Sequence, residues 1–228
     1  MEMINRKDGS VNLVLHNLEA INNYFKATDT SVDDKNANLR YELLRHGFVF
    51  SNDNDANNHM QKIINKVLIR YPGFIRDPAS CVYHGAYPGG LFDHSLMVYK
   101  YALEVSDKYN LKELPNFIAC MFHDICKVGK YNLTTHIKSN GTMESIYSYN
   151  SDYAGIEHGA ESLRRLLLVD GIDSNTLPEP WQFAIAYHMG VFGVSDTEMK
   201  NFSKMSEKYP EILLLHQCDM LATKIAKR

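Results

Sequence analysis

Six residues define the chemistry open to this sequence: His94, the adjacent pair His123-Asp124, His158, His188 and Asp219. Successive intervals are 29, 34, 30 and 31 residues, counted from Asp124 after the pair, so each member falls on a separate helix in the periodicity described below. Imidazole nitrogens and carboxylate oxygens suit divalent Mn, Fe, Ni and Zn, and helical folds build such sites from inward side chains on facing helices. The sharpest signal is His123-Asp124, because it follows directly on six apolar residues, Phe117 to Phe122. A carboxylate buried there needs a cation or a full set of hydrogen bonds. A His-Asp pair alone carries little weight in a chain with ten histidines, and it is the ordered series that carries the argument. The two oxygens of Asp124 can bridge two ions, with His94, His123 and Asp219 completing one site and His158 and His188 serving the other. One ion is the minimum reading.

Other residues stand close to the series. Lys127 follows Asp124 by three residues and His123 by four, so a continuing helix keeps it on the same face, where its ammonium can meet a substrate phosphate. The competing reading is a solvated charge at a helix end. Lys130 extends that face with the same two readings. His84, in the loop Tyr83-His84-Gly85-Ala86-Tyr87, either contacts a phosphate, protonates a leaving group, or bonds to loop backbone. Tyr83, Tyr87, Tyr147, Tyr149 and Tyr153 flank the series and either stack on a nucleobase or pack half-buried with their hydroxyls in water. His16, His46, His59, His136 and His216 lie outside the pattern, His216 being nearest to it. Cys81, Cys120, Cys126 and Cys218 lack CxxC spacing and read as buried free thiols.

The elements that must position these residues are mostly helical. Apolar periodicity marks helices at 11–26, 39–50 and 60–69, with the polar run Asn52 to Asn58 as a loop leading into the third. A long helix is expected from about Leu91 to Tyr109. The next contains Phe117 to Phe122, apolar on every side, which places it at the centre of the fold. Residues 131–150 alternate around Ser139-Asn140-Gly141, the signature of a hairpin with a two-residue turn. Helices resume at 157–169, 179–189 and 210–226. The reading is an all-α helical bundle with a small inserted β-hairpin near residues 131–150. Residues 1–75 form an N-terminal helical extension packed on the core, and residues 76–228 form the domain that carries the site.

Composition narrows the class of partner. With 228 residues, 45% hydrophobic and 22% charged, the chain is an ordinary globular protein large enough for a substantial core. A formal charge of -3 gives no basic field for duplex nucleic acid, which leaves a small anionic substrate or a short single strand. No stretch approaches the length needed to cross a bilayer, so no membrane partner is expected and the location reads as cytoplasmic.

The series resembles the HD superfamily of metal-dependent phosphohydrolases, whose mononuclear members use an H, HD, D set. The extra His158 and His188 resemble the H, HD, H, H, D order of its binuclear branches, such as cyclic-nucleotide phosphodiesterases and HD-GYP proteins. Tyr83 to Tyr87, Gly89-Gly90-Leu91 and Asp93-His94-Ser95 are similar to the entry segment of HD-type 3′-5′ exoribonucleases and of phage-borne HD proteins. Glu157 to Ser162 and Ala186 to Gly190 resemble the phage-type proteins. The first 75 residues match none of these and lack the OB-fold strand pattern of the exoribonucleases. The resemblance, over roughly residues 80–225, implies an HD-domain helical bundle holding one or two divalent ions, Mn, Fe, Ni, Mg or Zn. It implies attack of a metal-activated water on phosphorus, with Asp124 and Lys127 catalytic and Lys127, Lys130 and His84 against the substrate. The substrate is then a small phosphorylated molecule, a nucleotide or another phosphoester. Alternatives are a 3′-5′ exonuclease on short single strands, a non-catalytic nucleotide-binding sensor, and an iron oxygenase that cleaves C–C bonds.

Overall fold

Capping chemistry sets several helix boundaries in the computed structural model, which describes residues 10–28, 33–109, 111, 113–190 and 196–224. Helix α1 spans Ser10–Ala27 and α2 Asp33–Glu42, which loosens into a π-helical turn at Leu43–Gly47. The helix read at 39–50 thus starts earlier and ends earlier. Phe48 and Phe50 leave it to pack on Phe117, with ring centroids 5.0 and 4.9 Å away. Helix α3, Asn54–Arg70, begins inside the run read as a loop, because the Asp53 side chain accepts from the Asp55 amide and caps it. Asn57 serves the same turn by accepting from the amides of Phe50 and Ser51.

Helix α4 is Gly90–Lys108 and α5 Phe117–Phe122, followed by a 3-10 turn at Ile125–Lys127. Strands β1, Tyr131–Ile137, and β2, Met143–Tyr149, pair antiparallel with Tyr131 opposite Tyr149 and Ile137 opposite Met143. Lys138 pairs with Thr142, and Gly141 takes φ +81°, so the hairpin closes through three residues, 139–141, rather than two. Helices α6, His158–Leu167, α7, Glu179–Tyr187, α8, Asp196–Lys208, and α9, Glu211–Lys224, complete the described chain. Helix α8 has no counterpart in the sequence reading. Residues 225 and 226 of the last expected helix lie outside the described residues, as do residues 1–9 and 225–228 of the two expected domains.

The result is an all-α bundle with one small two-stranded sheet, as the periodicity implies. Helix α5 is its centre: Ile118 to Phe122 are fully buried. Helix α4 packs against α1, α5 and α9, and α7 packs against α5, α6 and α9. No helix among the described residues is long and apolar enough to cross a membrane.

A buried polar network ties α1 and α2 to the start of α4. Arg40, 1% exposed, donates through Nε to Tyr24 Oη at 3.1 Å and through Nη1 and Nη2 to the carbonyls of Ile75 and Pro88, both at 3.1 Å. Tyr24 and Tyr87 donate to the two oxygens of buried Asp93, at 2.5 and 3.0 Å. Gly89, at φ +76°, lies against the guanidinium so closely that any β-carbon would collide with it. Arg40→Met removes the cation beside Asp93 and should destabilise the fold by about 3–5 kcal/mol, seen as a lower urea midpoint. Arg40→Lys should recover only part of the loss, since an ammonium cannot reproduce the planar fork.

Candidate metal centre

Five elements deliver the six residues of the series. His94 lies in the second turn of α4, and His123 caps the C-terminal end of α5. Asp124 follows at φ −106° and ψ 17°, where the helix gives way to the 3-10 turn. His158 is the first residue of α6, whose N-terminus is capped by Glu157 accepting from the Ala160 amide. His188 caps the C-terminal end of α7, and Asp219 lies within α9. Gly159 permits the approach of α6 to α7, because a β-carbon there would strike the carbonyl oxygens of Ile185 and Ala186. The rings of His158 and His188 consequently lie 5.3 Å apart.

The four imidazoles converge on Asp124, and Asp219 faces two of them. Asp124 Oδ2 faces His94 Nε2 and His123 Nε2, each at 3.6 Å, and its Oδ1 faces His158 Nε2 at 2.5 Å and His188 Nε2 at 3.3 Å. Asp219 Oδ1 lies 3.1 Å from His94 Nε2 and 4.0 Å from His123 Nε2. One oxygen of Asp124 therefore belongs to the His94, His123 and Asp219 group and the other to His158 and His188.

Tautomers follow from the backbone contacts. His123 Nδ1 donates to the Cys120 carbonyl at 2.9 Å and His188 Nδ1 to the Ile185 carbonyl at 2.7 Å, because a carbonyl can only accept. Their Nε2 atoms then carry the lone pairs. The Nε2 atoms of His94, His123 and His188 are all buried without a hydrogen-bond partner among the described residues. Three unpaired nitrogens facing two carboxylates are costly as protein alone and well matched to a divalent cation. The donor set fits such an ion.

Ionisation agrees with this electrostatic pattern. Burial opposes charge on Asp124, yet Lys127, His123 and His158 hold it well below the usual carboxylate range. Asp219 is likewise held low in spite of burial, chiefly by His94. Burial pushes His123 down to about 3 and lowers His158, leaving both neutral. Burial opposes charge on His188 too, but Asp124 and Asp219 outweigh it and raise its pKa above the ordinary imidazole value.

The residues proposed to meet substrate are placed more variously. Lys127 Nζ lies 2.6 Å from Asp124 Oδ2, and Asp124 raises its pKa although burial opposes the charge. The continuous helix expected through Lys127 is a 3-10 turn, whose three-residue period still sets Lys127 beside Asp124. Lys130 rests over the Tyr153 ring, 5.8 Å from its centroid. The His84 ring lies 4.7 Å from that of His94, and neither of its buried nitrogens bonds to loop backbone or any other described group. Burial lowers its pKa to about 4. Tyr87 and Tyr153 are held in packing roles, Tyr87 on Asp93 and Tyr153 on the Cys126 carbonyl. Tyr83 and Tyr149 are exposed.

Other residues at the site escaped the sequence reading. Cys126 lies within ligand distance of Asp124 and His158, though burial raises its thiol to about 11 and so disfavours the thiolate. Glu161, 1% exposed, pairs with Arg164 and Arg165, and Arg165 Nη1 donates to the carbonyls of Ile125 and Val128, holding the turn that carries Lys127. In sequence these are ordinary i,i+3 and i,i+4 pairs, with nothing to mark them as buried. His216 Nδ1 lies 2.7 Å from the His188 carbonyl and steadies that end of α7.

A protein-family model for the HD domain matches residues 91–223, a span that contains all six residues of the series. No curated protein and no solved structure matches the chain. Titrating Mn²⁺ into chelator-treated protein should raise Tm, since a cation that partners these nitrogens binds only the folded state. At a free concentration a hundredfold above Kd the gain is about 2.7 kcal/mol. His123→Ala should remove most of the rise in a thermal-shift assay.

Proposed function

The chain belongs to the HD domain family, and on that premise we propose that it is a metal-dependent phosphohydrolase acting on a nucleotide or another small phosphoester. HD domains in general are metal-dependent hydrolases that bind divalent ions. The observation that carries the reading is the convergence of three buried imidazole Nε2 atoms on two carboxylates, that of Asp124 buried and that of Asp219 half-buried.

In this reading His94, His123, Asp219 and one oxygen of Asp124 hold the first ion, and His158, His188 and the other oxygen hold the second. The ion is Mn, Fe, Ni, Mg or Zn. A divalent ion bound there supplies a water acidified toward neutral pH and a Lewis acid for phosphoryl oxygens. The backbone bonds from Nδ1 of His123 and His188 keep their lone pairs aimed inward. Lys127, charged and buried beside Asp124, shares the negative charge of the phosphoryl group. His84, held neutral by burial, donates an N–H to a phosphoryl or leaving-group oxygen. Lys130 supplies positive charge at the rim. Low exposure of His94, His123 and Asp124 excludes bulk water from the reacting groups.

The partner is a small phosphorylated molecule rather than a duplex or a membrane, which the formal charge of -3 favours, and a cytoplasmic location suits it. Residues 76–228 form the catalytic domain and residues 1–75 the helical extension on it, a division supported by the grip of Arg40 on Ile75 and Pro88.

Protein purified without chelator should contain a divalent transition metal and hydrolyse at least one phosphoester in a panel of nucleoside phosphates, dinucleotides and short oligonucleotides. Asp124→Ala should lose the metal and more than about a hundredfold in rate, since even outer partners of such sites cost 10–100-fold. Metal-free protein inactive across the metal-supplemented panel would overturn the reading. Stepwise shortening of oligonucleotides from the 3′ end, with no action on mononucleotides, would redirect it to an exonuclease.

A further inference from the structure

Beside the metal centre, between α6 and α7, lies a cavity of about 710 Å³, within the range of small-molecule sites. His158 is common to both: its Nε2 meets Asp124, and the residue also lines the cavity. A phosphorus atom held over Asp124 would therefore leave the organic part of its ester beside this opening.

The walls of the cavity select among organic groups. Phe183 and Tyr187, one helical turn apart on α7, both line the cavity with near-parallel rings, 6.4 Å between centroids and 22° between planes, and give it an aromatic wall. Phe183 is stacked on Tyr209 at 5.2 Å and 15°, which fixes its ring before any ligand arrives. The polar groups at the cavity are mainly acceptors. Glu179 Oε2 accepts from Tyr209 Oη, Glu157 Oε2 from the Ala160 amide, and Gln182 spends its Nε2 on the Leu177 carbonyl. Each keeps one oxygen in reserve. Among the described residues, no Lys or Arg lines the cavity.

We propose that this cavity is the subsite for the organic part of the substrate and takes a planar heteroaromatic ring with an exocyclic amine: adenine, guanine or cytosine. The inference rests on the nucleotide reading above. An aromatic wall accepts any base, but an acceptor-rich edge favours rings that bring N–H donors and disfavours a second phosphate. Uracil and thymine flank their single N–H with two carbonyls, which meet Glu157, Glu179 and Gln182 with like-signed dipoles.

The test is ligand-observed NMR titration of free nucleosides into Mn-loaded protein, which reads the cavity without any phosphoester to hydrolyse. Adenosine, guanosine and cytidine should bind about tenfold or more tightly than uridine and thymidine, the effect of a hydrogen bond to a charged group. The double variant Glu157→Gln, Glu179→Gln keeps the side-chain shapes and should erase that preference, while Phe183→Leu should weaken all three amine-bearing nucleosides. A wild-type Mn-dependent rise in Tm shows that the variants keep the fold and the metal centre. Equal affinities, a preference unmoved by the double variant, no binding at all, or tighter binding of choline would each overturn the proposal. Selective binding without phosphoester hydrolysis would remove the proposed function and leave the subsite, and hydrolysis with unselective binding would do the reverse.

Discussion

The carboxylate of Asp124, 2% exposed among four imidazoles and an ammonium, is the constraint on which the rest of the structure depends. A charge so far from water is tolerated only if both of its oxygens are matched, and the matching groups must be held still. Three of the five partners of Asp124 are accordingly fixed from behind. His123 and His188 are tied to carbonyls one turn back, and the His188 carbonyl is met by His216. The turn that carries Lys127 hangs from Arg165, which is anchored by buried Glu161. Termination of α5 at this point is part of the same arrangement. The 3-10 turn that follows sets the ammonium of Lys127 2.6 Å from Oδ2.

Why the six positions of the series are legible in the sequence, and much of their support is not, follows from the kinds of signal involved. A His-Asp pair at the end of an apolar run is visible because it breaks a pattern, and the ordered series extends it. Helix α5 was equally plain, since an element apolar all round has nowhere to go but the centre. By contrast, Arg40 and Glu161 look like surface charges on amphipathic helices, and only packing shows them at 1% exposure. Helix α8 offers a sparse stripe, Met199, Phe202 and Met205, in a strongly polar segment, too thin for periodicity to register. The start of α3 was hidden for the opposite reason: its Asn/Asp run reads as loop composition, while one of those residues acts as the cap. The hairpin turn differs by one residue because Lys138 pairs with Thr142, leaving 139–141 as the loop with Gly141 at φ +81°.

Two buried charge clusters meet at neighbouring residues of α4, and they are balanced differently. Asp93 faces Tyr24, Tyr87 and Arg40, so its cation comes from the chain itself. His94 faces Asp124 and Asp219, where Lys127 supplies one positive charge to two carboxylates. His123 and His158 are kept neutral by burial and add none, which explains why His188 is the ring drawn upward. The cluster on the Asp93 side is closed. The cluster on the Asp124 side sets two carboxylates against the one ammonium of Lys127, with three buried imidazole Nε2 atoms turned toward them. A divalent ion held there would add positive charge beside Lys127. With a net charge of -3 the chain offers no general positive field, so positive charge at this centre comes from Lys127 and from any cation that the carboxylates hold.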